Sequence, residues 1–194
     1  MQASRRALLT GLAGLSLGHA APAAAAGAPF ARPPAPILVA YFSRSGNTRV
    51  VAGLLQRALG ADLFEIVPAA PYPLDYLQTV EQARQERDRH VEPALAATVP
   101  DMARYASLFL GLPIWGETAP PVIRSFLLAH DLAGKTVIPF ITHGGHGLGI
   151  SERVIARHAP GATLRPAFSL QADQERQTME RVQAWLGASP AART

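Results

Sequence analysis

A short polar loop, SRSGNT, carries the residue types that most clearly indicate chemistry. Hydroxyl and amide side chains surround a glycine there, after the apolar run ILVAYF and before a helical apolar pattern: Ser43, Ser45, Gly46, Asn47 and Thr48. A helix N-terminus offers unpaired backbone N–H groups and the positive end of the helix dipole, so the loop favours a phosphate group. The alternative is structural, with Asn47 or Thr48 capping the helix and Gly46 easing the turn.

A second candidate binding segment is PIWGETAP, which follows the third apolar run of the chain. Trp115 leaves a predicted strand where that strand ends, and prolines on both sides stiffen the loop. An indole in this position can stack on a flat conjugated ring. The alternative is that Trp115 folds back onto the hydrophobic core.

The segment THGGHGLG, at residues 142–149, is the third candidate. Its four glycines let the backbone approach a ligand closely, and its N–H groups can bind the polar edge of a ring. It follows the fourth strand and has no acidic residue about 20 positions later, so it is not a dinucleotide fingerprint. His143 and His146 form an i, i+3 pair without a convincing third ligand, which is more typical of polar lining than of a metal site. We expect no metal.

Alternating strand and helix patterns must position these three loops. Nearly continuous apolar runs predict strands buried on both faces, and parallel neighbours need right-handed crossovers, so we predict a three-layer α/β/α sandwich. The loops after strands 1, 3 and 4 should meet beyond the carboxyl ends of the sheet. The predicted strands cover residues 37–42, 62–67, 107–114, 136–142 and 163–170, and the predicted helices start near residue 50 and cover residues 75–88, 120–128, 149–157 and 174–186, the last burying Met179, Val182, Trp185 and Leu186.

Composition indicates one domain with a short appendage. The chain has 194 residues, 48% of them apolar, and a net charge of +4. Without Arg5 and Arg6, 16 basic residues face 14 acidic ones and form no basic cluster with interleaved aromatics, so we expect no nucleic-acid partner. The absence of cysteine excludes disulfides, thiol catalysis and thiolate metal sites.

Four segments together resemble the flavodoxin-like family of FMN-binding proteins: VAYFSRSGNT, ADLFEIVPAAPYP, LGLPIWGETAPPV and KTVIPFITHGGHGLG. The resemblance covers nearly all of residues 37–187 and implies an α/β fold with a five-stranded parallel sheet of order 2-1-3-4-5. It also implies FMN as the cofactor.

Carried over residue by residue, the resemblance implies three groups of FMN-binding residues. The first group binds the phosphate and ribityl end, the second flanks the isoalloxazine, and the third lies on its pyrimidine edge. In that order they are Ser43, Arg44, Ser45, Gly46, Asn47 and Thr48; Pro113, Ile114, Trp115 and Gly116; and Thr142, His143, Gly144 and Gly145. No catalytic side chain is implied.

The leading hypothesis is an FMN-dependent oxidoreductase that transfers electrons or hydride, from NAD(P)H to a quinone-like acceptor. One alternative is an electron-transfer protein that docks a redox partner, and another is a flavin-binding protein with a regulatory or scaffolding task. The chain departs from relatives at Gly116, where a second aromatic residue is common, and this glycine is expected to open space above the ring. The sequence leaves open whether a homodimer completes the site.

Residues 1–28 have the features of an export signal. Basic Arg5 and Arg6 precede an apolar run and small-residue cleavage candidates, and SRRALL resembles the twin-arginine motif. We expect export to the periplasm by that route and no stable membrane insertion after cleavage; the alternative is anchorage by an uncleaved leader. Residues 29–36 form a proline-rich linker, residues 37–187 the domain, and residues 188–194 a disordered tail.

The leader generates a first testable prediction. Replacing Arg5 and Arg6 by lysine should keep the precursor in the cytoplasm, because the twin-arginine route recognises the arginine pair and carries folded, cofactor-loaded proteins. Cell fractionation of the two forms measures this. Undiminished export of the lysine variant would indicate the general secretory route instead.

Overall fold

The computed structural model describes residues 36–145, 147–171 and 175–188, without the side chains of residues 175–180 and 183. The leader predicted for residues 1–28, most of the linker predicted for residues 29–36 and nearly all of the predicted tail lie outside these ranges. Among the helices described, none is both long enough and apolar enough to cross a membrane.

The described chain forms a parallel sheet with helices on both faces. Its strands are β1 Ile37–Tyr41, β2 Asp62–Glu65, β3 Ser107–Pro113, β4 Thr136–His143, β5 Thr163–Leu164 and β6 Phe168–Gln171; its helices are α1 Asn47–Leu59, α2 Tyr76–Asp88, α3 Pro121–Leu128, α4 Ser151–His158 and α5 Glu175–Ala188, with a short 3-10 helix at Met102–Arg104. The order is β2-β1-β3-β4-β5, and β6 also pairs with β4. The predicted fold class and strand order are confirmed.

Residue alternation along β1 shows how the sheet is buried on both sides. Leu38 packs in the same apolar cluster as Phe126 of α3, whereas its neighbour Val39 packs in the cluster that contains Leu55 of α1. Both clusters are fully buried at these positions, and each such side chain contributes about 1.5–3 kcal/mol relative to exposure. Three layers result, as the nearly continuous apolar runs predict.

The prediction of one continuous strand at residues 163–170 is wrong, because two short strands occupy this stretch. Val137 of β4 lies opposite Leu164 of β5, and Phe140 lies opposite Phe168 of β6. Residues 165–167 therefore lie opposite only two residues of β4, 138 and 139. One extra residue on one strand is what defines a β-bulge.

Proline explains the position of this bulge. Arg165 N–H donates to Val137 O at 2.9 Å, so odd-numbered residues of β4 direct their backbone groups toward β5 and β6. Pro139 is the next such residue and has no N–H to give. The N–H of Ala167, released from the ladder, donates instead to Glu152 Oε1 of α4 at 2.7 Å. The interruption thus leaves this amide satisfied.

His130 fastens the end of α3 to the loop before the 3-10 helix. Its Nδ1 lies 2.7 Å from Phe126 O, and its Nε2 lies 2.9 Å from the Val99 N. Because an amide N–H only donates, Nε2 accepts and Nδ1 carries the ring proton, so the imidazole is neutral. Burial lowers the pKa of His130 below its ordinary value of 6.5, against the opposing effect of the bond to Phe126.

This lowered pKa predicts an acid-sensitive contribution to stability. The unfolded chain binds a proton at His130 more readily than the folded chain, so the stabilisation is present above pH 6.5 and is lost as the pH falls through the lowered folded pKa. Replacing His130 by glutamine should reduce the loss of unfolding free energy on acidification. Urea unfolding at about pH 7.5 and about pH 5 measures it.

His158 provides the matched control. It makes the same bond from Nδ1 to a carbonyl four residues earlier, Val154 O at 2.7 Å, but accepts no backbone amide among the described residues. The pH dependence of His158→Gln serves as the reference, because this substitution leaves the Val99 amide bonded to His130. An unchanged pH dependence in His130→Gln would contradict this assignment.

Candidate functional site

The polar loop after β1 ends at the uncapped start of α1. Gly46 is the N-cap residue, with φ at +96°, and no side chain in the described part of the chain caps the helix. Ser43 Oγ accepts from the Gly46 N–H at 3.1 Å, which tightens the loop but leaves the amides of the first helical turn without a side-chain acceptor. Asn47 and Thr48 lie inside the helix, so the alternative in which either caps it is wrong.

Thr48 and Thr142 join two of the three candidate loops. Their hydroxyl oxygens are 2.8 Å apart, and the residues are 1% and 3% exposed. The carbonyl of Thr142 also accepts from the Ile114 N–H at 2.9 Å, at the end of β3. Thr142, near the end of β4, therefore contacts both the polar loop after β1 and the loop after β3 that carries Trp115.

The residues after β3 form a tight turn. Gly116 and Glu117 have φ of +56° and +64°, and the Trp115 N–H donates to Thr118 O at 2.9 Å. Two successive left-handed residues define a type I′ turn, in which glycine is strongly favoured. Gly116 is therefore explained by the conformation of the turn. The expectation that it opens space is not met, because a Cβ placed on it would lie 2.8 Å from Arg87 Nη1.

This turn is packed against the loop after β4. The Ile150 N–H donates to Glu117 O at 2.8 Å, and a Cβ placed on Gly149 would lie 2.0 Å from the same oxygen. Only glycine permits that approach. The loops after β3 and β4 are thus fixed to each other by a second contact, in addition to the bond from the Ile114 N–H to Thr142 O.

Trp115 has features of both interpretations drawn from the sequence. Its indole packs edge-on against Phe42, at 5.3 Å between centroids, and against Tyr72, at 4.8 Å, so it does contact the core. Tyr72 is held in turn by its hydroxyl, which donates to Glu86 Oε2 at 2.8 Å; burial and this bond raise the pKa of Tyr72 above its usual range. The indole nevertheless lines a cavity.

His143 is held by hydrogen bonds on both ring nitrogens. The Gly145 N–H donates to Nδ1 at 3.0 Å, and Nε2 lies 2.9 Å from Ser169 Oγ of β6. Nδ1 must accept, so Nε2 carries the proton and the ring is neutral in this arrangement. His143 therefore presents a fixed, uncharged imidazole. His146 lies outside the described residues, and within them no three potential ligands from His, Asp or Glu gather as a metal site would require.

A cavity of about 570 Å³ opens where the three loops meet. Its walls include most of the predicted site: Arg44, Ser45, Asn47, Pro113, Ile114, Trp115, Gly116, Thr142, His143 and Gly144. The remaining predicted residues, Ser43, Gly46, Thr48 and Gly145, do not line it. They instead position the loops through the bonds and the turn described above.

Arg44 lies at the edge of this cavity and of a smaller one of about 390 Å³. Its Nη2 donates to Leu74 O at 2.7 Å, and its guanidinium lies 5.8 Å from the centre of the Tyr76 ring. The family resemblance implies a place for Arg44 on the phosphate. In the structure it connects the polar loop to the segment that precedes α2.

The opposite wall of the cavity, one face of α2, was not predicted from the sequence. That face carries Tyr76, Thr79, Val80, Ala83, Arg84 and Arg87. Their spacing of three and four residues was visible in the sequence and is typical of one helix face. The many charged residues of the segment concealed it, because they make the helix look evenly solvated.

Comparison with known proteins gave consistent matches. The family described as Flavodoxin matches residues 36–188. A candidate flavoprotein of Bacteroides eggerthii is 35% identical, with 79% of this chain and 96% of that chain covered and a TM-score of 0.68. A second candidate flavoprotein, from Bacteroides uniformis, is 31% identical, with 76% and 97% covered and a TM-score of 0.67.

A more distant solved structure shares the fold. It is a flavoprotein of Lactobacillus acidophilus in complex with FMN, 19% identical, with 75% of this chain and 98% of that chain covered and a TM-score of 0.61. Among curated proteins no match was found.

The buried threonine pair generates a prediction about stability. Thr142→Val leaves the Thr48 hydroxyl buried without its partner, so it should cost about 1–3 kcal/mol of unfolding free energy, and Thr48→Val should cost a similar amount. The double variant should cost clearly less than the sum, because no hydroxyl is then left unpaired. Urea unfolding of all four proteins measures the coupling.

Thr136→Val is the control in the same strand. Its hydroxyl makes no side-chain hydrogen bond with any residue that the structure describes, so the substitution should have little effect on stability. Additive costs for Thr48 and Thr142 would show that the two hydroxyls do not stabilise one another.

Proposed function

The chain belongs to the flavodoxin family, and from that premise we propose that it is an FMN-dependent oxidoreductase that passes electrons from NAD(P)H to quinone-like acceptors. FMN is the cofactor, as the sequence predicts. The observation that carries the proposal is the cavity itself, which is enclosed by the three loops on one side and by the face of α2 on the other.

The residues present fit FMN. The uncapped amides at the start of α1 and the side chains of Ser45 and Asn47 are donors suited to a phosphate, and the space around Gly46 is open, since a Cβ placed on it would meet no atom within 4 Å. A cavity of about 570 Å³ is within the usual range of cofactor sites. These residues would bind the phosphate end, and Trp115 would form a wall for the flat ring.

FMN supplies the redox chemistry that no side chain of this protein can perform. The protein's own residues bind and orient it. Trp115 is backed by Tyr72 and Phe42, which limits its motion, and His143 is oriented by Gly145 and Ser169. The neutral imidazole of His143 would offer a fixed polar group without adding a full positive charge to the site.

The face of α2 favours an enzyme, because it provides a wall that a small substrate could contact. Electron exchange with a partner needs only an exposed ring edge, whereas direct reaction with a small molecule requires that molecule to lie against the ring at about 3–3.5 Å. The face of α2 provides a second wall with small or apolar side chains at Val80 and Ala83. A flat acceptor could be held between this wall and the loops.

A second candidate function is a carrier that docks a redox protein. Large apolar side chains are exposed around the start of α2: Leu74 is 99% exposed, Leu77 72% and Tyr76 65%, and Tyr76 also lines the cavity. Apolar residues beside a cofactor site are typical of a surface that contacts a partner. This observation supports the carrier, although the cavity supports an enzyme.

Turnover without any protein partner distinguishes the two functions. FMN-loaded protein should oxidise NADH or NADPH in the presence of a neutral quinone. Val80→Phe should raise the KM for the quinone about tenfold or more, because the larger side chain fills the α2 wall, while FMN binding stays unchanged.

Leu77→Phe is the matched control, since it enlarges an exposed residue of the same helix that does not line the cavity. It should leave turnover as in wild type. Oxidation of neither nicotinamide, together with fast electron exchange with a redox protein, would refute the enzyme and leave the carrier.

A further inference from the structure

The charged side chains that the structure describes in the cavity wall are all arginines. Arg44, Arg84 and Arg87 line the cavity, and no carboxylate belongs to the described residues of its wall. A partly enclosed cavity with guanidinium groups of one sign attracts anionic ligands. The loop at the start of α1 accounts for one anion, the phosphate of the cofactor. The other two arginines of the wall, Arg84 and Arg87, belong to α2.

Arg84 is engaged by carboxylates of its own helix. Its Nε and Nη2 donate to the two carboxylate oxygens of Glu81 at 2.9 and 2.8 Å, and its Nη1 donates to Asp88 Oδ2 at 3.2 Å. The guanidinium fork is therefore occupied within the helix. Its charge is also largely compensated by these two carboxylates.

Arg87 differs from Arg84 in this respect. Its Nε donates to Asp88 Oδ1 at 3.1 Å, but its Nη1 and Nη2 donate to no residue that the structure describes. The side chain is 38% exposed, so it is partly within the wall and still accessible. An arginine with two open N–H groups on one edge can bind a carboxylate, sulfonate or phosphate oxygen pair.

The position of Arg87 is set by the turn that carries Trp115. A Cβ added to Gly116 would lie 2.8 Å from Arg87 Nη1, so the guanidinium lies directly over this glycine. A side chain at Gly116 would have to displace it. The absence of a side chain at Gly116 thus makes room for an arginine at the tryptophan end of the cavity.

Arg44 lies elsewhere on the wall. It belongs to the polar loop after β1 and is bound to Leu74 O. Arg44 and Arg87 therefore mark two different places, one beside the polar loop and one beside the indole. A ligand that contacts Arg87 lies against the ring end of the cavity and not against its phosphate end.

We infer that Arg87 recognises an anionic group on a substrate that lies against the face of α2, at the tryptophan end of the cavity, so that the site selects flat aromatic substrates bearing a carboxylate, sulfonate or phosphate. This inference rests on the proposed function for the identity of the site. The anionic group that contacts Arg87 could belong to the electron acceptor or to the phosphates of the nicotinamide donor. The experiment below distinguishes these two sources.

Binding is measured by isothermal titration of FMN-loaded, oxidised protein with naphthoquinone sulfonate and with neutral naphthoquinone. Wild type should bind the sulfonate more tightly. Arg87→Gln should weaken sulfonate binding about 10- to 100-fold, as expected for the loss of charge-assisted hydrogen bonds, and should leave neutral naphthoquinone nearly unaffected. No turnover is needed for this measurement.

Arg89→Gln is the matched control, because it removes the same charge next to the end of α2 from an exposed residue outside the cavity wall. It should bind both quinones as wild type does. An equal loss of sulfonate affinity in both variants would indicate general electrostatic attraction and would overturn the role of Arg87. The role would also be overturned if Arg87→Gln kept the wild-type affinity for the sulfonate and the wild-type KM for NADH and NADPH.

The donor arm uses the KM for the two nicotinamides with neutral naphthoquinone as acceptor. A KM raised by Arg87→Gln, with sulfonate affinity unchanged, assigns the anionic group to the donor and supports the inference. If no variant oxidises NADH or NADPH but tighter binding of the sulfonate still depends on Arg87, the oxidoreductase is refuted and the anion site is supported. Failure of the proposed function and failure of the anion site therefore give different results.

Discussion

The hydrogen bond between Thr48 and Thr142 is the constraint on which the arrangement of the site depends. Both hydroxyls are buried, so neither can exchange its partner for water, and an unpaired buried hydroxyl is costly. The bond fixes the first turn of α1 against the end of β4. Since the Thr142 carbonyl also binds the Ile114 amide, all three loops share one point of attachment. Their separation in space is therefore fixed by the register of β1, β3 and β4.

The two walls of the cavity differ in how they are held. The loop wall is fixed by backbone contacts, including the close approach of Gly149 to Glu117 and the bond from Ile150. The α2 wall is made of side chains on a helix whose ion pairs are mostly exposed, and such pairs contribute little to stability. A rigid wall suits a permanently bound cofactor. A wall of exchangeable side chains suits a substrate, whose identity can change through substitutions on α2 without damage to the fold.

Sequence patterns predicted those features that depend on neighbours along the chain. Apolar runs indicated the strands, and the polar loop SRSGNT indicated the start of α1. The patterns failed where the outcome depends on which strands pair. The Thr48–Thr142 bond joins residues 94 positions apart in the sequence. The bulge before β6 arises because Pro139 faces the strand that pairs with β4 on that side, and the sequence does not show which strand this is. The α2 face was missed for a similar reason, because only the tertiary structure shows that Arg87 lies over Gly116.

We propose that the uncapped start of α1, fixed by Thr142, binds the phosphate of FMN. Comparing the affinities of the protein for FMN and riboflavin, which differ only in that phosphate, tests it most directly. Fluorescence titration with each flavin should show FMN binding about 100-fold or more tightly than riboflavin, because several charge-assisted hydrogen bonds are made only by the phosphate. Equal affinities for the two flavins would contradict the account.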